Sequence, residues 1–140
     1  MKARVKWVED MSFLGMTESG HAVLMDGPPD SGGRNLGPRP MEMFLLGAGG
    51  CTSFDVVLIL KKGRHNVNGC EVAIDAERAA TDPKVFTKIH LHFVVSGKDL
   101  KAEAVERAIT LSAEKFCSAT IMLGKTATVT HDFELIESQG

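Results

Sequence analysis

The stretch Met41-Glu42-Met43-Phe44-Leu45-Leu46-Gly47-Ala48-Gly49-Gly50-Cys51-Thr52-Ser53-Phe54-Asp55-Val56-Val57-Leu58-Ile59-Leu60 is almost continuous in apolar and small residues. Pro40 stands before it at a first helical position, where a missing N–H is no loss. Lys61, Lys62 and Gly63 close it, with two cations over the negative end of a helix and a glycine suited to its C-terminus. These signals predict a helix over 41–61, apolar on most sides and therefore buried all round. Gly47, Gly49 and Gly50 each cost about 0.5–1 kcal/mol relative to Ala inside a helix, so close approach of another helix or of a reacting group must offset them.

Working outward, the N-terminal strands over 2–25 form a meander. The first sets Ala3, Val5 and Trp7 on one face and Arg4 and Lys6 on the other, as a half-buried strand does. Residues 26–40 are rich in Gly and Pro, have little to bury and read as a mobile loop. After the helix, Val72, Ile74 and Ala76 alternate with polar residues, and Thr81-Asp82-Pro83-Lys84 turns the chain into a second strand, giving a hairpin over 70–95. Asp99 is placed to cap helices over 100–123, whose Val105, Ala108, Ile109 and Phe116 form an apolar stripe. A last strand over 126–136 turns Ala127, Val129, His131, Phe133 and Leu135 inward. Strands, helix, strands, helices and strand make an α+β chain, expected as a single domain over 1–140.

Composition narrows the function. Sixteen basic against eighteen acidic residues, a formal charge of -2, supply no field for drawing nucleic acid to the surface. No uninterrupted apolar run approaches the roughly 18 residues that cross a bilayer, and no apolar stretch follows the basic residues at the start. A cytoplasmic protein with no nucleic-acid or membrane partner is expected, and three cysteines in such a chain are reduced thiols.

Cys51 follows Gly49 and Gly50, whose missing side chains leave room beside the sulfur for a small substrate. Cys117 opens a short apolar segment whose free N–H groups favour a thiolate. The two could serve as a peroxidatic and resolving couple, although each taken alone also suits a core position. Cys70, where a loop enters a strand, reads as structural. Glu42 and Asp55 bracket Cys51, but nine positions on one helix place Glu42 about 13–14 Å from it along the axis. Arg34 and Arg39 are the cations of the Gly/Pro loop. His90 and His92 share a strand face with no acidic or thiol ligand adjoining in sequence, and His131 reads as a core histidine; no metal and no cofactor is expected.

The run from Pro40 to Thr52, with Glu114-Lys115-Phe116-Cys117-Ser118 some 66 residues later, resembles the OsmC-like family, which includes organic hydroperoxide resistance proteins. The resemblance spans essentially the whole chain. It implies an intertwined homodimer with long central helices between two mixed β-sheets, and active sites at the dimer interface. There one cysteine, here Cys51, reduces an organic hydroperoxide; the other, Cys117, resolves it; an external dithiol restores both. In the peroxidase members an arginine in the N-terminal strands and a glutamate directly after the helix proline hold the reactive cysteine. Here residues 10–15 contain no arginine, Met41 follows Pro40 and Glu42 stands one position later, so Glu42 and Arg39 are the auxiliary candidates. In these respects the chain is more similar to an OsmC-like branch apart from the hydroperoxidases. The same dimer could alternatively serve as a binding module for a small apolar ligand.

Overall fold

Alternating apolar residues and helix-stop signals set the element order of the chain, whose computed structural model describes residues 1–138. Gln139 and Gly140, the end of the domain expected over 1–140, lie outside the described residues. The chain forms two compact units, Met1–Leu45 and Leu46–Gly140.

In the first unit β1 (Ala3–Glu9), β2 (Ser12–Thr17) and β3 (Ala22–Met25) make an antiparallel sheet in sequence order. Trp7 faces Phe13 across β1 and β2, and its indole N–H donates to the Asp10 carbonyl at 2.7 Å in the intervening turn. β1 is exposed along its whole length, which corrects the half-buried strand expected from its alternation. Val5 and Trp7 are both more than 60% exposed.

The Gly/Pro segment is laced together by a buried carboxylate. Asp26 is buried, and its carboxylate accepts N–H groups from Gly27 at 2.7 Å, Arg34 at 3.3 Å and Leu36 at 3.1 Å. Burial acts to raise this carboxyl; the three backbone N–H groups and the charge of Arg39 outweigh it and hold it below the usual carboxylate range. The composition showed a lack of apolar side chains and missed the buried acid that takes their place.

The second unit carries most of α1 (Pro40–Lys62), then β4 (Asn66–Arg78), β5 (Phe86–Lys98), α2 (Ala102–Leu111), a π-helical turn Ser112–Phe116, α3 (Ser118–Leu123) and β6 (Thr128–Glu137). β4 and β5 form a long antiparallel hairpin, with a cis Asp82–Pro83 bond in the connection. β6 lies parallel to β5, which requires a crossover, and α2 and α3 supply it. The chain is α+β, with one antiparallel and one mixed sheet.

Ile89, Leu91, Phe93 and Val95 of β5 are buried with Val105, Ala108 and Ile109 of α2 and Ala48, Val56 and Leu60 of α1. Each large member of this core contributes about 1.5–3 kcal/mol. Gly49 lies against Ile74 of β4: a Cβ on it would stand 2.8 Å from Cδ1 of Ile74, whose end would have to shift to admit it. A Cβ on Gly47 or Gly50 would meet nothing within 4 Å.

Two further expectations are corrected. α1 is buried along one stripe only, Ala48, Gly49, Thr52, Val56 and Leu60, while Leu46 and Phe54 are 60% and 68% exposed. α1 has 23 residues and contains an 18-residue window of mean hydropathy 1.9, a length and composition that core helices share with membrane-crossing ones. Asp99 does not cap α2: it adopts φ 53°, its N–H donates to the Glu137 carboxylate, and the helix starts after Lys101 with no side-chain cap.

Candidate functional site

α1 carries Cys51 at mid-length, half-buried beside the exposed Gly50. Cys117 lies between the π-helical turn and α3, in extended backbone, and is fully buried. Both are free thiols, and the fold brings them within interaction reach of one another across 66 residues of chain. Sequence analysis alone left that meeting open.

The Cys117 sulfur accepts the Thr120 N–H at 3.4 Å, and the Thr120 hydroxyl donates to the Cys117 carbonyl, also at 3.4 Å. Burial pushes this thiol up; the Thr120 hydroxyl and N–H pull it down, and the neighbouring Cys51 pushes it up again. The net shift is upward, which corrects the expectation that free N–H groups would make Cys117 a thiolate. A six-residue helix offers one N–H to the sulfur, less than the water that burial removes. Cys117 is therefore a protonated thiol near neutral pH. Cys70 is also pushed up by burial, partly offset by the Ser53 side chain, in keeping with a structural place between α1 and β4.

One side chain connects the two cysteine-bearing elements. Ser112 is fully buried; its hydroxyl donates to Asp55 Oδ2 at 2.9 Å and lies 2.8 Å from the Thr52 hydroxyl. A serine hydroxyl has one proton, so with that proton on Asp55 the Thr52 hydroxyl is the donor to Ser112. The Ser112 carbonyl accepts the Cys117 N–H at 2.8 Å, the i→i−5 bond of the π-helical turn. Thr52 and Asp55 stand one and four positions after Cys51. Sequence analysis placed Asp55 near Cys51 without a role and missed Ser112 and Thr52. The available signal was three polar residues, Thr52, Ser53 and Asp55, inside an otherwise apolar helix.

The auxiliary candidates have partners in their own loop. The Arg39 N–H donates to Glu42 Oε1 at 2.7 Å, which caps the start of α1, and the Arg39 guanidinium donates to Asn35 Oδ1 at 2.8 Å and the Gly37 carbonyl at 3.3 Å. Arg34 pairs with Glu9 and Asp10.

A cavity of about 390 Å³ lies within the second unit, floored by Leu91, Phe93 and Ile109 and edged by Thr120, Lys125 and His131. His131 is exposed at this edge, not a core residue as its place in the alternation suggested. Parallel pairing of β5 with β6 also gives His90 and His92 acidic neighbours. His92 contacts Asp132 at 2.7 Å and Glu134 at 2.9 Å, and His90 contacts Asp132 at 3.0 Å. Among the described residues no group of three or more His, Cys, Asp or Glu side chains is arranged to hold a metal ion.

An α+β fold of this topology, with free thiols at Cys51 on α1 and at Cys117 in the helical crossover, defines a class. The family model described as OsmC-like protein matches residues 32–132, and the chain belongs to the OsmC-like family. It is 54% identical to protein YhfA of Escherichia coli strain K12 over 136 residues, 97% of this chain and 98% of that one. A solved structure from structural genomics is 51% identical, with a TM-score of 0.89 and 99% and 100% of the two chains covered. The organic hydroperoxide resistance protein OsmC of Legionella pneumophila superposes with a TM-score of 0.72 over 95% of each chain at 16% identity, a likeness of fold.

Proposed function

We propose that the chain is a thiol-dependent peroxidase of organic hydroperoxides, working through Cys51 and Cys117. The meeting of the two thiols carries this reading. The Cys51 thiolate attacks the outer oxygen of R–O–O–H, the O–O bond breaks, and Cys51 sulfenic acid and the alcohol R–OH form once the alkoxide takes a proton. Cys117, held as a thiol, gives up its proton, its sulfur bonds to that of Cys51, and water leaves; an external dithiol then reduces the disulfide. The name of the Legionella relative supports the substrate class.

In this reading the chain is a single OsmC-like domain that works as a cytoplasmic homodimer. The exposed Phe54 and Leu58 of α1, four positions apart on one helix face, support a second copy as their cover, since exposed apolar surface on one face marks an interface. Nine positions of helix separate Glu42 from Cys51, so Glu42 and Arg39 act as auxiliary groups only on the site of the other subunit. Rapid mixing of reduced protein with cumene hydroperoxide gives a fast oxidation that Cys51→Ser abolishes; wild-type protein without a fast phase rejects the proposal.

The cavity over Phe93 and Ile109 favours one second reading, a module that binds a small apolar ligand. Native mass spectrometry with a stoichiometric ligand, retained after both cysteines become serine, selects it.

A further inference from the structure

We infer that Ser112 is a positioning residue for disulfide closure, fastening the backbone that carries Cys117 to the helix that carries Cys51. The inference rests on the redox pairing proposed above and adds what sets the geometry of its second step. Ser112 is bonded in both directions. Its hydroxyl is fixed on α1 by Asp55 at 2.9 Å and Thr52 at 2.8 Å, and its carbonyl holds the Cys117 N–H at 2.8 Å. Only Ser112 itself stands between these two sets of bonds, so a shift of α1 at Cys51 reaches Cys117 through one amino acid.

The π-helical turn fits this role. A wider i→i−5 bond is uncommon and recurs at functional positions, and here it puts the extended Cys117 backbone where α2 would otherwise have continued. The Ser112–Thr52 end of the network is enclosed: Ser112 is fully buried and Thr52 nearly so, and there water does not readily replace a lost bond. Closure joins two sulfurs that must meet within narrow limits of distance and dihedral angle, so loss of orientation slows closure more than it slows attack on a free hydroperoxide.

The test uses full-length protein with Cys70→Ala, so that two thiols remain. After a pulse of cumene hydroperoxide, Cys51 sulfenic acid is trapped with dimedone at successive times. Ser112→Ala is expected to lengthen the life of the sulfenic acid about tenfold or more while the rate of its formation stays within about twofold of wild type. Asp55→Ala is expected to follow Ser112→Ala. Asp55→Asn, which keeps an oxygen to accept the Ser112 proton, restores most of the closing rate, whereas Asp55→Leu, which keeps the volume and loses the acceptor, stays as slow as Asp55→Ala. Should Ser112→Ala unfold, the Asp55 variants carry the test. Equal closing rates in wild type, Ser112→Ala and Asp55→Ala overturn the inference. Diamide, which accepts the two hydrogens of a dithiol, separates this failure from failure of the peroxidase reading. Wild-type protein inert to hydroperoxide but closed by diamide rejects the peroxidase, and the diamide closing phase in the variants still decides the role of Ser112.

Discussion

Replacing Ser112 by Ala tests the network through stability as well as chemistry. The substitution deletes the bond to Asp55 Oδ2 and the bond from Thr52, and leaves the Thr52 hydroxyl, 2% exposed, without a partner. An orphaned buried hydroxyl costs about 1–3 kcal/mol, and Asp55, half-buried, recovers part of its loss from solvent, so about 1–3 kcal/mol is expected in all. For a domain of this length that is a fall in melting temperature of about 3–10 °C. Thr52→Val alone removes one bond at nearly constant volume and costs about 0.5–1.5 kcal/mol. In the double variant the orphaned hydroxyl is gone, so the pair falls short of the sum of the singles by about 1 kcal/mol. Urea unfolding followed by circular dichroism, at one fixed protomer concentration and with unchanged m-values, measures all four corners. Additive single effects, or a loss below about 0.5 kcal/mol for Ser112→Ala, refute the claim that these hydroxyls form one buried chain.

The His92 imidazole is held above its ordinary value by Asp132 and then Glu134, while Asp132 is held below its own by His92 and then His90. A raised histidine contributes stability below its unfolded value near 6.5 and loses it as pH rises through the folded value; the lowered carboxyl contributes above its unfolded value and loses it on acidification. A proton NMR titration of His92 should therefore show a midpoint above 6.5 that Asp132→Asn moves down, and an unmoved midpoint rejects the pairing. Phe54→Glu, at a position 68% exposed on α1, is expected to turn a dimer of twice the chain mass into a monomer in light scattering; an unchanged mass places the interface elsewhere. Asp26→Ala withdraws the acceptor of three backbone N–H groups and should make tryptic cleavage after Arg34 faster than in wild type. Equal resistance in both proteins contradicts the bracing role of Asp26.

What the sequence made legible follows from periodicity and punctuation. Pro40 and Gly63 bound an apolar run that could only be a helix, and the alternation through Val72, Ile74 and Ala76 marked a strand with one face inward. Periodicity tells which residues need cover and says nothing of what covers them, which is why β1 and much of α1 were expected inside and stand exposed. Pairing direction was equally hidden: the parallel register of β5 with β6, which sets Asp132 beside His92, depends on a crossover and leaves no mark in either strand. The π-helical turn at Ser112 had no signal, because an i→i−5 bond uses the same residue types as an α-helix. Cys51 and Cys117 were recognised by their surroundings in sequence. The shift of Cys117 was misjudged because the gain from helix N–H groups is visible in sequence and the loss from burial is not.

The most direct test is peptide mapping without reduction after one equivalent of cumene hydroperoxide. A cross-linked pair of peptides containing Cys51 and Cys117, lighter by two hydrogens, with Cys70 still open to alkylation, is the expected product. Cys51 and Cys117 both recovered as free thiols, or Cys51 carried on to the sulfinic acid while Cys117 stays reduced, contradicts the account.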